Sequence, residues 1–402
     1  MSQTAINVTE GGRRTRPTMD WRAFSLLGLL LFIAVVFHLL SGGLFLTSRN
    51  LYNLVVQSSA PAILAAGMAL VIATRNIDLS VGSVLGFVGM MVAFLQIQVF
   101  PFDAVWNWPL TIVIALVLGA LIGAWHGVWI AYLGVPSFVV TLGGLLVFRG
   151  GAFEVAQGRT LAPFQEGYQV LGGGLSGSLG VSASWALLAV LLALYVLGEI
   201  LIYRREARLG FAANPAARAL RAVLVTAFGV AAVATMNAHT VPRTDIGRGL
   251  PYPALILLAV LLFMEFLARL TTFGRAIYAI GGNEEAARLA GIPVKRVIAM
   301  VFVIMGVLCA VAAVVTTARL NAGTAGTGQL LELTVIAAAV IGGVSLAGGR
   351  GTVTGAVTGA FVIQSLDSGM VLIGATSSQR MILIGLVLMA AVLADRLFSN
   401  RR

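Results

Sequence analysis

Lysine occurs once in this chain of 402 residues, at Lys295, and Arg296 follows it. A phosphate-binding loop of the GxxxxGK[ST] type needs Ser or Thr after its lysine, so the chain cannot bind ATP by that route. Cysteine also occurs once, as Cys309 inside an apolar run. A disulfide framework is therefore impossible, and a small buried hydrophobe is the expected role. The histidines, His38, His126 and His239, include no i,i+4 pair, and the chain has no HExxH or CxxC. These absences remove the common zinc patterns. No Ser/His/Asp set can be assembled from the sequence order, so catalysis has no support and no cofactor is expected.

Charge is scarce too. Only 10% of residues are charged and 59% are hydrophobic, with a mean hydropathy of +0.98. A soluble domain carries about 25% charge. The composition implies an all-α polytopic membrane protein with the lipid bilayer as its surroundings. Its net charge of +11 would suggest nucleic acid in a soluble chain. Here the arginines gather at the ends of apolar runs, where they act as topology signals, and no nucleic-acid partner is expected.

A membrane-crossing helix needs about 20 apolar residues. Twelve such runs can be read: 21–41, 51–74, 81–99, 108–133, 136–152, 184–203, 219–238, 252–272, 297–318, 331–346, 352–371 and 379–395. The tenth is short and glycine-ended, so a broken or re-entrant span is expected there. Residues 1–20 are polar, carry Arg13, Arg14 and Arg16, and lack a small-residue cleavage site. They read as a cytoplasmic tail rather than a signal peptide. Residues 21–395 form the permease-like membrane domain, and 396–402 a second cytoplasmic tail. With the N-terminus inside, only Arg49, Arg149, Arg159, Arg243, Arg248, Arg319 and Arg380 of the 26 basic residues fall outside. Positive charge inside supports that orientation.

Residues 273–296 interrupt the apolar sequence with a polar, charged block. Asn283 is placed to cap a short helix and Gly291 to stop it. Glu285 lies at the positive end of that helix, and Ala286 and Ala287 are small enough for close contact with a partner.

Glycine rows at Gly119, Gly123 and Gly127 and at Gly351, Gly355 and Gly359 suit close helix packing or a moving helix interface. Segments 69–89 and 337–359 share a layout of span, polar glycine turn and glycine-rowed span, which suggests a parallel internal repeat. Ionisable residues inside spans are few. Glu265 is expected to pair with Arg269, and Glu199 with Arg204 or Arg205. Glu332 and Asp367 are expected near the outer ends of their spans. Asp78 either caps the third span or serves in gating. Gln57-Ser58-Ser59-Ala60-Pro61 breaks the second span, and Pro136-Ser137-Phe138 opens the fifth. Neutral polar groups of this kind fit either helix–helix hydrogen bonds or the passage of a polyhydroxylated solute. The candidates for gating or for the pathway are Gln57, Asp78, Ser80, Phe138 and Thr141.

NIDLSVGS (76–83), VPSFVVTLGGLLVFRG (135–150), GRAIYAIGGNEEAARLAGIPVKR (274–296) and IAAAVIGGVSLAGGRGTVTGA (336–356) together carry a resemblance. The chain resembles the permease subunits of bacterial ABC importers for monosaccharides. The extra pair of spans around 184–240 and GLPYP at 249–253 look most like the xylose-type branch. The resemblance implies a non-enzymatic inner-membrane subunit for D-xylose or a related pentose. It implies a homodimer, a cytoplasmic ATP-binding subunit and a periplasmic sugar-binding protein. It assigns ATPase coupling to the segment holding Asn283, Glu285, Ala286, Ala287 and Gly291. Arg75-Asn76 departs from the small or glycine residues expected at that turn. A proton- or sodium-coupled secondary sugar transporter is the alternative, and would need a mid-membrane carboxylate. An intramembrane lipid enzyme would need an Asp-rich metal-pyrophosphate motif, which is missing.

Overall fold

Long apolar runs without water to satisfy their backbones must close their hydrogen bonds internally, and helices do so. The computed structural model describes residues 21–174, 176–208 and 215–399. The N-terminal tail with Arg13, Arg14 and Arg16, residues 209–214 and residues 400–402 lie outside the described residues. The helices are α1 (Trp21–Leu40), α2 (Ser48–Ala73), α3 (Val81–Phe94), α4 (Asn107–Gly127), α5 (Ser137–Ala156), α6 (Glu166–Gln169), α7 (Val181–Arg208), α8 (Pro215–Asn237), α9 (Tyr252–Leu270), α10 (Thr272–Gly282), α11 (Glu284–Leu289), α12 (Val294–Leu320), α13 (Leu331–Ile341), α14 (Val353–Leu372) and α15 (Ser377–Ser399). Single π-helical segments, Leu95–Val99 and Val128–Tyr132, extend α3 and α4.

Among the described residues, nine helices are long and apolar enough to cross a membrane. Shorter apolar helices, Ser25–Leu40, Leu331–Ile341 and Ser377–Leu393, stand where the remaining expected spans lie. The protein is a multi-pass helical membrane protein. The expected break in the second span does not occur, and α2 runs unbroken past Pro61. Ser58 and Ser59 fold their hydroxyls back onto the Leu54 and Val55 carbonyls at 2.6 and 2.8 Å. The stretch between the fifth and sixth apolar runs is partly helical: α5 continues to Ala156, and α6 buries Tyr168, whose hydroxyl meets Thr317 Oγ1 at 2.7 Å.

The core lies around α2 and α12. α12 packs most extensively on α4. The glycine row of α4 makes that contact possible: a Cβ on Gly119 or Gly123 would strike the carbonyl oxygen of Gly306 or Phe302. Partner numbers fall as α4 numbers rise, so the two helices are antiparallel. α14 lies antiparallel to α2, with Gln364 opposite Gln57 and Ser368 opposite Asn50. It lies antiparallel to α13 through Gly355 and Gly359, which sit against Gly342 and Ala338.

These contacts fit the expected layout of the two similar segments: α13 runs parallel to α2, and the turns that follow them lie at one end, where the Gly349 N–H meets the Ala73 carbonyl at 2.9 Å. A second relation spans more of the chain. A long helix, a non-helical link and then three helices occur twice, as α2–α5 and as α12–α15. The link 74–80 is matched by 321–330, at the opposite end of the bundle, so the two halves are inverted relative to each other.

The tenth span is broken, as expected. After α12 the chain turns back into the bundle, passing Ala93 at Gly323, Gly86 at Thr327 and Gly82 at Gly328. The descent from Ala93 to Gly82 covers about 16 Å of α3 at 1.5 Å per residue. Only then does α13 begin. Irregular backbone survives at such depth because protein surrounds it.

Candidate functional site

The polar block folds into a pair of short helices outside the bundle's long elements. Thr271 Oγ1 accepts the Gly274 N–H at 3.1 Å and starts α10. Asn283, with φ −156° and ψ 106°, breaks the path. Its N–H closes α10 on the Ala279 carbonyl at 3.1 Å. Its Oδ1 opens α11 by accepting the Ala286 N–H at 3.0 Å. At the other end Gly291 has φ 82°. Gly291 N–H bonds the Arg288 carbonyl and Ile292 N–H the Ala287 carbonyl, both at 3.0 Å, which is the Schellman arrangement. A Cβ on Gly291 would meet open space, so the backbone angle alone selects glycine there.

α11 presents Glu284, Glu285, Ala286, Arg288 and Leu289 outward. Glu285 and Arg288 pair at 2.7 Å, one turn apart. The hydrogen bond that Arg288 donates to Glu285 raises the Arg288 pKa above its ordinary value. Leu289 is 80% exposed, unusually so for a large apolar side chain. Ala287 faces the other way and is buried within this chain. It is not part of the outward surface that the sequence placed it on, because a six-residue helix lying on a bundle must turn one side inward.

Beside α11 lies a cleft of ≈ 420 Å³ lined by Arg75, Asn76, Tyr132, Ser137, Glu284 and Lys295, among others. Arg75 explains the unexpected sequence of its turn. α2 ends in a second Schellman arrangement: Arg75 N–H bonds the Ile72 carbonyl at 2.8 Å and Asn76 N–H the Val71 carbonyl at 3.2 Å. Arg75 occupies the position usually held by glycine, with φ 63°. A non-glycine residue there costs on the order of 1–3 kcal/mol. Its guanidinium caps α10 instead, donating from Nε to the Gly281 carbonyl and from Nη2 to the Gly282 carbonyl, each at 2.8 Å.

Three of the five pathway candidates come together. Asp78 is buried, and its Oδ1 accepts the Ser80 N–H at 2.8 Å and the Ser80 hydroxyl at 2.6 Å. Asp78 thus orders the turn that leads into α3. Thr141 Oγ1 reaches the Ile77 carbonyl at 3.3 Å, and the Ile77 N–H reaches Ser137 Oγ at 3.3 Å. Gln57 lies elsewhere, facing Gln364 at 3.4 Å. Phe138 is 55% exposed on the outside of α5, away from the cluster.

A buried carboxylate, Glu332, and a half-buried guanidinium, Arg149, lie where the sequence did not place them. Glu332 was expected near an outer span end, yet it opens α13 deep in the bundle and is 6% exposed. A Cβ on Gly82 would lie 2.5 Å from its Oε2, and Oε2 has no hydrogen-bond partner. Arg149, expected at the outer edge, donates from Nη1 to the Ala325 and Thr327 carbonyls at 2.9 and 2.8 Å. Only the re-entrant path of 321–330 brings these groups inside, and no local pattern encodes it. Three other acidic residues that the sequence singles out form ion pairs. Glu265 holds Arg269, as expected, at 2.5 Å and also caps α14 by accepting the Thr354 N–H at 2.8 Å. Glu199 pairs with Arg218 of α8 at 2.6 Å rather than with Arg204 or Arg205. Asp367 pairs with Arg380 at 2.9 Å.

Residues 50–392 match the family described as branched-chain amino acid transport system, permease component. The chain is 39% identical over 395 residues to the xylose transport system permease protein XylH of Escherichia coli (strain K12), covering 98% of this chain and 96% of that one. It is 39% identical over 389 residues to XylH of Haemophilus influenzae, covering 93% and 96%. It is 34% identical over 376 residues to the ribose import permease protein RbsC of Escherichia coli (strain K12), covering 92% of each. No solved structure matches.

Proposed function

This chain belongs to that family of transport-system permeases, and on that premise we propose that it is the membrane-spanning subunit of an ATP-driven monosaccharide importer in the bacterial inner membrane. Its cargo is D-xylose or a related pentose. ATP is hydrolysed on a separate cytoplasmic subunit, sugar arrives from a periplasmic binding protein, and two copies of the chain form the channel. The side bearing α10 and α11 faces the cytoplasm.

The observation that carries the coupling role is the block itself. α11 is capped at Asn283, stopped at Gly291 and braced by the Glu285–Arg288 pair, with Leu289 unpacked at its surface. A rigid short helix with one exposed apolar side chain suits insertion into a groove of a partner. Its base is joined to the long helices through Arg75, so a push on α11 reaches the bundle.

The sugar assignment rests on the relatives, whose names give xylose and ribose, while the family description names branched-chain amino acids. Buried carboxylates at Asp78 and Glu332 are groups that a proton-coupled carrier would also need. Against that alternative stand the family membership and the block.

The test is assembly and coupling in two variants. Gly291→Val forces a β-branched residue into a left-handed position at roughly 1–2 kcal/mol. Glu285→Ala removes the brace on α11. Both variants are expected to insert normally, yet to co-purify poorly with the ATP-binding subunit or to lose sugar-stimulated ATP hydrolysis. Normal assembly and coupling in Gly291→Val would remove α11 from the coupling role.

A further inference from the structure

Three chain segments meet beneath α11. The end of α2 meets the end of α10, where a Cβ on Gly281 would strike the Ala73 carbonyl oxygen. The turn after α13 joins them through the Gly349 N–H, which donates to the Ala73 carbonyl at 2.9 Å. Arg75 spans the junction. Its stem passes Gly348, where a Cβ would leave no room, and its guanidinium holds the last carbonyls of α10.

Those carbonyls have no partner within their own helix, so a forked donor is a strong tie for them. Glycine would relieve the backbone at this position but would provide no tie. The side chain is therefore what the position is built around. The tie also leads somewhere. Residues 76–80 follow Arg75 directly and run beside α5 through Ile77, Ser137 and Thr141 to the Asp78–Ser80 turn that starts α3.

We propose that Arg75 is a positioning residue for energy coupling: it transmits displacement of α10 and α11 to the turn that starts α3. The proposal rests on α11 being the element that meets the ATP-binding subunit. The physical route has contacts at every step, from α11 through Asn283 to the Gly281 and Gly282 carbonyls, then to Arg75 and the α3 turn. While both guanidinium bonds hold, a change in the angle of α10 pulls through Arg75 on residues 76–80.

The experiment uses the complete transporter, with its ATP-binding subunit and binding protein, carrying Arg75→Gly, Arg75→Met or Arg75→Lys. Arg75→Gly keeps the turn unstrained, so folding is preserved while the tie is lost. Assembly and basal ATP hydrolysis are expected to match the unaltered complex in Arg75→Gly. Stimulation of hydrolysis by the sugar-loaded binding protein, and uptake, are expected to fall by roughly tenfold, the scale of a typical coupling free energy. Arg75→Lys, which keeps one donor head, is expected to recover part of the loss, and Arg75→Met none. Full coupling in Arg75→Gly would overturn the proposal. So would loss of assembly in all three variants, which would make Arg75 a structural tie only. The premise fails separately, through normal coupling in Gly291→Val.

Discussion

Arg149 on α5 donates to the carbonyl of Thr327 at 2.8 Å and so ties a long helix to the irregular segment that re-enters the bundle before α13. The same nitrogen reaches Ala325 at 2.9 Å. Backbone at this depth has no water to turn to, so each carbonyl depends on a donor from the protein. The guanidinium also supplies the nearest compensation for the Glu332 carboxylate, which lies by the same segment.

Removing that guanidinium has a predictable cost. Arg149→Met is expected to destabilise the chain by about 1–3 kcal/mol by leaving buried acceptors unsatisfied. Glu332→Gln in the same chain removes the uncompensated charge, so the double variant is expected to be more stable than the effects of the two single changes would sum to. Thermal unfolding in detergent of the two single variants and the double variant reads this directly. Strict additivity would show that the two groups do not interact.

The contact of α4 with α12 gives a second prediction. Gly123→Ala drives a methyl group against the Phe302 carbonyl oxygen and is expected to cost about 1–3 kcal/mol as overpacking. Gly143→Ala on α5 meets nothing within 4 Å and serves as the matched control. Equal melting temperatures for the two variants would mean that α4 and α12 are not packed this closely.

Leu289 and Ala287 separate the outward and inward sides of α11. Leu289→Ser is expected to leave the melting of the isolated chain unchanged while weakening binding to the ATP-binding subunit by roughly tenfold, as loss of an interface anchor does. Ala287→Asp puts a charge at a buried site and is expected to destabilise the chain itself. Pull-down with the purified ATP-binding subunit, beside melting of each variant alone, distinguishes the two. Undiminished binding by Leu289→Ser would place the contact elsewhere.

Much of the helical architecture was legible because its signals are local. The length of apolar runs located the crossing helices, and Asn283 and Gly291 marked the ends of α11 by their backbone demands. The glycine row of α4 announced a close helix contact. Long-range placement was not legible. Whether α13 starts at the membrane edge or inside depends on a fold-back of 321–330, whose sequence is only a glycine- and threonine-rich stretch. That single event moved Glu332 into the core and gave Arg149 its partners. The two similar glycine-rich turns, after α2 and after α13, do lie together at one end of the bundle, where the Gly349 N–H meets the Ala73 carbonyl. Phe138 follows Ser137 in sequence, yet successive helical positions point about 100° apart, and it faces away from the Thr141 cluster. Arg75 broke the expected pattern because its partners, Gly281 and Gly282, lie 206 and 207 residues away.

The most direct test of the account is sugar uptake by purified components in vesicles. The chain is reconstituted alone, with the ATP-binding subunit, and with that subunit plus the binding protein. Xylose, ribose and leucine are offered in turn, with ATP or with a pH gradient as the energy source. The account predicts uptake of xylose, with ATP, only when all three components are present, and no uptake by the chain alone under a pH gradient. Xylose accumulation by the chain alone under the pH gradient, or ATP-driven uptake of leucine but not of either pentose, would contradict it.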